Sequence, residues 1–240
     1  MINLDRISQV TLKTEPFRWA AIDELFSPPD AAVLADAFPH DHFKRLSHYG
    51  GDKDSEYEAR SLLGMGAQTV SRPQKLSCAW RELASDFLSP AYRSAMSLVV
   101  GCDLSDAPLE VNVFHYPPGG VLGPHSDLPD KIVTHILFFN QVWNDKDGGV
   151  LTILRSADPQ DIFTTISPVV GSSAVLVRSE NSWHAVSPVA KSCPLSRRSL
   201  TATFYHPGSV STMWPPGDNT PLHDYHSPGR LGRWWGRLTA

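Results

Sequence analysis

The sequence predicts a mainly β domain with supporting α-helices, and three observations carry that prediction. From residue 107 onward, short β-rich runs recur: LEVNVFHY (109–116), KIVTHILFF (131–139), GVLTIL (149–154), DIFTTI (161–166), SAVLVR (173–178) and RSLTATFYH (198–206). Turn signals separate them (PPGG, DLPD, NDKDGG, ADPQ and SENS), a spacing that belongs to an all-β sandwich or barrel. No helix-length pattern lies between the runs, which excludes a parallel sheet with helical crossovers. The chain also carries 20 prolines and 16 glycines in 240 residues, which favours turns over long helices.

The first hundred residues read as the support. Phe17, Trp19 and Ala21 alternate in FRWAAID and predict a strand. Ser27-Pro28-Pro29-Asp30 then opens a helix: Ser27 caps it, Pro28 suits the first helical position, and Pro39 stops it. Residues 40–75 are polar, centred on HYGGDKDSEYEAR, and predict a long loop or lid. Trp80, Leu83 and Phe87 share a helical face. Ser89-Pro90 starts another helix, with Ala91, Ala95, Leu98 and Val99 expected inward and Gly101 ending it. With no internal repeat and no linker, the chain reads as one domain over 1–240: helical support and lid over 1–106, a β core over 107–206, and an extension over 207–240.

Composition excludes several classes of function. Hydrophobic residues make up 41% of the chain, enough for a sizeable core. A formal charge of −4 leaves no basic footprint for nucleic acid. No apolar run is long enough for a membrane helix. The opening MINLDRISQV lacks the basic and apolar regions of a signal peptide. Three cysteines without CxxC spacing argue for a reducing compartment, so a cytoplasmic protein is expected.

Chemistry concentrates in three places. His125-Ser126-Asp127 is the one His-x-Asp in the chain; alone it reads as a polar turn, but it follows a strand and the turn PPGGVLGP. Residues two apart on extended backbone point to one side, so both side chains can face one cation. His184, in NSWHAVSPV, follows another strand; alone it reads as a core histidine beside Trp183. Two neutral imidazoles and a carboxylate suit one face of an octahedral iron(II), leaving positions open for chemistry. The third place is Arg197 to Tyr205. Alternation puts Arg197, Ser199, Thr201, Thr203 and Tyr205 on one face, with Arg198, Leu200, Ala202 and Phe204 on the other. A polar row ending in arginine suits a pocket that binds a carboxylate, because the guanidinium fork pairs bidentately.

Taken together, YPPGG before HSD, then VTHILFFNQVW, DGGVLTIL, WHAV and RRSLTATFY, this order resembles the iron(II)- and 2-oxoglutarate-dependent dioxygenases, in their prolyl-4-hydroxylase-like branch, over residues 107–206. The resemblance implies a double-stranded β-helix, a cupin-like jelly roll. It implies that His125, Asp127 and His184 bind Fe(II), and that Arg197, helped by Ser199, anchors 2-oxoglutarate, with O2 as the oxidant. Tyr116 is expected to line the cosubstrate pocket, Leu151 and Val186 to wall it, and Asn112 to meet the primary substrate. One position departs from the branch: Phe138 stands where a tyrosine often sits near the distal carboxylate. With Asp127 present, rather than the Gly or Ala of related halogenases, hydroxylation is the expected outcome.

The expected substrate is a small polar molecule, such as an amino acid derivative or natural-product intermediate; Arg60, Arg72, Lys75, Glu56 and Glu58 offer it charged handles in the 40–75 segment, though a solvated loop is the favoured reading of that charge run. Two alternatives stand beside it. One is a hydroxylase of prolyl or other residues in a protein or peptide. The other is a non-oxidative cupin-like module that binds a metal or sugar. The tail GRLGRWWGRLTA is expected to dock on the sandwich or a second subunit, and His223-Asp224-Tyr225-His226 to be a surface turn. His115 and His135 fall on strands and are expected to be packed or hydrogen-bonded.

Overall fold

A computed structural model describes residues 1–50 and 54–225. In chain order the helices and strands are α1 (Leu4–Ser8), β1 (Trp19–Ile22), α2 (Pro28–Asp36), β2 (Lys44–His48), β3 (Ser55–Leu63), α3 (Cys78–Leu88), α4 (Pro90–Val100), β4 (Leu109–Tyr116), β5 (Val121–His125), β6 (Lys131–Phe138), β7 (Leu151–Leu154), β8 (Ile162–Ile166), β9 (Ser173–Val177), β10 (His184–Val186) and β11 (Arg197–Tyr205).

The helix boundaries follow local chemistry. Ser27, Ser77 and Ser89 each accept a hydrogen bond from the backbone N–H three residues on, capping α2, α3 and α4. Pro28 and Pro90 sit in the first turn, where no N–H is missed. Gly101 ends α4 at φ 74°, in the left-handed region that glycine enters without strain.

All pairings between the strands are antiparallel, in the order β1-β9-β6-β11-β4-β3-β5-β10-β7-β8, with β2 added on β3. The two ends of this path meet through Trp19 of β1 and Phe163 of β8, whose rings stand edge to face at 6.2 Å. The result is a nearly closed barrel, the jelly roll of the sequence reading. The outer face of β4, β11, β6 and β9 packs Val111, Val113, Leu200, Ala202, Phe204, Leu137 and Val175 against the helices through Trp80, Leu83, Phe87, Tyr92 and Met96. Trp80, Phe87 and Tyr92 are fully buried, and each contributes about 2–3 kcal/mol of burial. The inner face of the same strands is left for the polar row.

Three expectations need correction. Residues 40–75 are not one loop: they hold β2 and β3, and β3 pairs with β4 and β5 inside the sheet. Three of the charges that suggested a solvated segment are paired instead, while Arg72 and Lys75 are exposed. Glu56 binds Arg45, Glu58 binds His115 and His223, and Arg60 binds Asp41. On α4, Ala91 and Leu98 face outward, Leu98 at 71% exposure, because the buried stripe runs through Tyr92, Ala95, Met96, Val99 and Val100. His223 and Tyr225 are not a surface turn. Residue 223 exchanges backbone hydrogen bonds with Phe43, and Tyr225 is buried, stacked on His115 at 3.6 Å. His226 and the tail sequence after it lie outside the described residues. Among the described residues no helix is long and apolar enough to cross a membrane.

Candidate functional site

β5 and β10 are antiparallel neighbours, and their register sets His125 directly opposite His184. That pairing brings two histidines far apart in sequence to a ring separation of 4.3 Å. Each ring is oriented by a carbonyl: His125 Nδ1 lies 2.9 Å from the Gly123 oxygen and His184 Nδ1 lies 2.9 Å from the Ser182 oxygen. A carbonyl only accepts, so each Nδ1 carries the proton and Nε2 is the lone-pair nitrogen of the neutral ring.

Asp127 follows two residues after His125 and is buried. One ligand atom from each of His125, Asp127 and His184 lies within 4.8 Å of the others, and among the described residues no other His, Cys, Asp or Glu trio is so placed. Lys131 Nζ is 2.6 Å from Asp127 Oδ1, and Thr134 Oγ1 donates to Oδ2 at 3.0 Å. Burial alone would raise the Asp127 carboxyl, but the Lys131 ammonium, then His184 and His125 in their protonated forms, outweigh it and hold the group well below the usual carboxylate range. Two lone-pair nitrogens and an ionised carboxylate are the donor set of a divalent transition metal with open positions.

The trio opens into a cavity of about 210 Å³. Its long wall is the inner face of β4 and β11, where Arg197 lies opposite Tyr116, Ser199 opposite Phe114, Thr201 opposite Asn112 and Thr203 opposite Glu110. Arg197 is 1% exposed. Its guanidinium sits 4.8 Å from the Tyr116 ring and 5.4 Å from the Phe138 ring, and Nη1 donates to Ser199 Oγ at 2.6 Å. Burial lowers its pKa from 12.5 to about 10, with the Tyr116 phenol pulling weakly the other way. Its Nε is buried and has no hydrogen-bond partner. A buried cation with an idle donor in a cavity wall is built for an anion.

The structure therefore brings His125, Asp127, His184, Arg197, Ser199, Tyr116, Leu151, Val186 and Asn112 to one cavity. Arg60 is not among them: it is buried, and Nε donates to the Asp41 carbonyl at 3.0 Å, so its role is to tie β3 to the segment before β2. Phe138 is fully buried beneath the arginine and offers a ring face in place of a hydroxyl.

Sequence reasoning missed the roof. The segment after β11 reaches the cavity, and Thr212 and Met213 line it. Trp214 Nε1 donates to Asn112 Oδ1 at 2.7 Å, and Lys44 donates to the Met213 carbonyl and pairs with Asp218. It also missed Lys131, although the i,i+4 spacing from Asp127 was visible, and Thr134, which shares the inner face of β6 with Ile136.

Residues 111–206 match the family model described as the 2OG-Fe(II) oxygenase superfamily. No curated protein matches the chain. Among solved structures, a prolyl-4-hydroxylase of Pseudomonas putida is similar at 21% identity and a TM-score of 0.53, over 85% of this chain and 97% of that one. A prolyl hydroxylase of Trichoplax adhaerens, solved with a peptide fragment of the hypoxia inducible factor oxygen degradation domain, is similar at 15% identity and a TM-score of 0.52, over 85% and 87%. The non-heme alpha-ketoglutarate-dependent epimerase SnoN, from nogalamycin biosynthesis, is similar at 16% identity and a TM-score of 0.52, over 87% and 89%. These three likenesses show the fold. The matched residues, two-fifths of the chain, are the strands that carry the metal-like trio and the arginine, and this similarity to the 2OG-Fe(II) oxygenase superfamily supports a 2-oxoglutarate-dependent dioxygenase that uses Fe(II), 2-oxoglutarate and O2.

Proposed function

We propose that this dioxygenase hydroxylates an unactivated C–H bond of a small polar molecule, such as an amino acid derivative or natural-product intermediate. The observation that carries the reading is one roofed cavity holding the His125–Asp127–His184 trio together with the unsatisfied guanidinium of Arg197. The residues fit both groups: the trio supplies the metal donors, and the idle Nε of Arg197 awaits a carboxylate.

In this reading His125, Asp127 and His184 hold Fe(II), and Arg197 holds the distal carboxylate of 2-oxoglutarate. When bound, iron with 2-oxoglutarate and O2 supplies the oxidation of a C–H bond, with release of succinate and CO2. The protein orients and shields. The carbonyls of Gly123 and Ser182 fix the two imidazoles, and Lys131 and Thr134 hold the Asp127 carboxylate ionised and aimed. Tyr116 and Phe138 clamp the guanidinium between ring faces while Ser199 fixes its rotation. Leu151, Val186 and Tyr116 keep water from the cosubstrate end, and Asn112 meets the primary substrate.

The confined cavity, lined by Thr212 and Met213 as well as by the barrel strands, supports a small substrate. The similarity to prolyl hydroxylases supports the second reading, a prolyl or other residue in a peptide. A metal- or sugar-binding module would have no use for Arg197 and Ser199. The reading treats residues 1–240 as one domain, supported by β1 and β3 being hydrogen-bonded into the same sheet as the catalytic strands. It places the protein in a reducing compartment, the cytoplasm, supported by three cysteines that are all free.

The test is succinate release from 2-oxoglutarate under air, with and without iron(II), across a panel of small molecules and prolyl peptides. Iron-dependent release that disappears in His125→Ala supports the reading, and a product heavier by one oxygen identifies the substrate. Release no greater in wild type than in His125→Ala, across the whole panel, overturns it.

A further inference from the structure

The cavity has a second carboxylate besides that of Asp127. The inner face of β4 carries two polar side chains besides the Tyr116 phenol, Asn112 and Glu110, and Glu110 is 2% exposed. Its carboxylate accepts from Tyr205 Oη at 3.3 Å and from Ser211 Oγ at 2.5 Å. Both partners are neutral. Among the described residues no cation pairs with it: Lys131, which lines the same cavity, is committed to Asp127 at 2.6 Å. A buried carboxylate held by hydroxyls alone is costly, and the usual remedy is a positive charge beside it.

Its position says which ligand would bring that charge. Glu110 lies opposite Thr203, and Thr203 opposite Thr134, whose hydroxyl bonds Asp127. Two strand spacings put Glu110 roughly 10 Å across the sheet from that threonine. Arg197 lies opposite Tyr116, six residues further along β4, or roughly 20 Å away by strand rise. The cavity thus has a cationic end at Arg197, an anionic end at Glu110, and the trio nearer the anionic end. A dicarboxylate fits the first end and is repelled by the second.

We propose that Glu110 is the specificity-determining residue for the primary substrate, and that it receives an ammonium group, so the substrate is an amine. The inference rests on the small-molecule reading above. Asn112 complements it: its Oδ1 is occupied by Trp214, which leaves its amide N–H groups to face the cavity as donors to a neighbouring oxygen of the same substrate. Ser211 couples recognition to the roof, since its hydroxyl accepts from the Trp214 backbone N–H at 2.9 Å while donating to Glu110.

The experiment uses the full chain loaded with iron(II) and 2-oxoglutarate under argon. Amino acids and polyamines, each beside its N-acetylated form, are titrated while the visible charge-transfer band is followed. In wild type at least one amine should bind about tenfold or more tighter than its acetylated partner, the scale of one charge-assisted hydrogen bond. Glu110→Gln keeps an acceptor for Ser211 and removes the charge, so the pair should then bind within a few-fold of each other, with the neutral partner's affinity unchanged. A merely structural Glu110 would instead weaken both partners together. The comparison within wild type needs no variant, so a misfolded Glu110→Gln does not spare the proposal. It is overturned if acetylated or anionic molecules bind best, if no amine moves the band, or if Glu110→Gln keeps the preference. If 2-oxoglutarate itself gives no band with the iron-loaded protein, the oxygenase reading falls and this inference falls with it.

Discussion

Replacing Arg197 with methionine should separate the function of that side chain from its cost. Burial brings the guanidinium from 12.5 down to about 10, which corresponds to about 3 kcal/mol spent holding the charge there. Against this stand two ring faces, at about 1 kcal/mol each, and one hydrogen bond to Ser199, also about 1 kcal/mol. The sum is close to zero, so Arg197→Met, of similar length and apolar, should unfold within about 1 kcal/mol of wild type when 2-oxoglutarate is absent. With the cosubstrate the two proteins diverge. At a hundred times its Kd, 2-oxoglutarate raises wild-type stability by about 2.7 kcal/mol, or roughly 5–10 °C in Tm for a chain of this size. The variant should show none of that increment at the same concentration. Thermal unfolding of both iron-loaded proteins under argon, with and without 2-oxoglutarate, measures both quantities. A variant that keeps the full increment refutes the carboxylate role. One that loses more than about 3 kcal/mol without cosubstrate refutes the balance drawn here.

Two further outcomes are expected. His135 is fully buried between Tyr92 Oη and Ser173 Oγ, and burial lowers it to about 3, so between about 3 and 6.5 the unfolded chain binds more protons and stability falls as pH falls. Urea midpoints at pH 7.5 and pH 5 should give a loss of about 2 kcal/mol from this group, and His135→Gln, which does not titrate, should remove that part of the drop; an unchanged drop would contradict it. Gly148 has φ +67°, and a Cβ there would run into the Pro188 carbonyl beside β10. Gly148→Ala should therefore lower stability by about 2 kcal/mol or more and Tm by roughly 4–8 °C, read by calorimetry, with a smaller shift showing that the turn relaxes.

The site was more legible in the sequence than the sheet was. β11 announced its faces because polar and apolar residues alternate from Ser199 to Phe204, and the helices announced themselves through Ser27, Ser89 and Gly101. β3 was hidden because Glu56, Glu58 and Arg60 read as solvated charge, whereas each meets a hydrogen-bonding partner elsewhere in the chain. β5 was hidden by Gly123 and Pro124, residues that ordinarily weaken a strand, although His125 at its end was found by its motif. The roof could not be read at all. Trp214 reaches Asn112 across more than a hundred residues of chain, and neither carries a local pattern that names the other. Glu110 did leave a signal, the one acidic residue of a buried strand.

β11 sits between β4 and β6 and is read twice, once by each side of the sheet. Leu200, Ala202 and Phe204 answer to the helices, while the residues between them answer to the cavity. A single inserted or deleted residue inside the strand would exchange the two sets, sending Arg198 inward and a chain of apolar side chains into the polar row. The same change in the turn before Arg197 would leave both sets in place. Attempts to alter cosubstrate choice by design are thus confined to alternate positions of this strand. A segment transplanted from a relative has to bring a matching pair of surfaces, not a matching pocket alone.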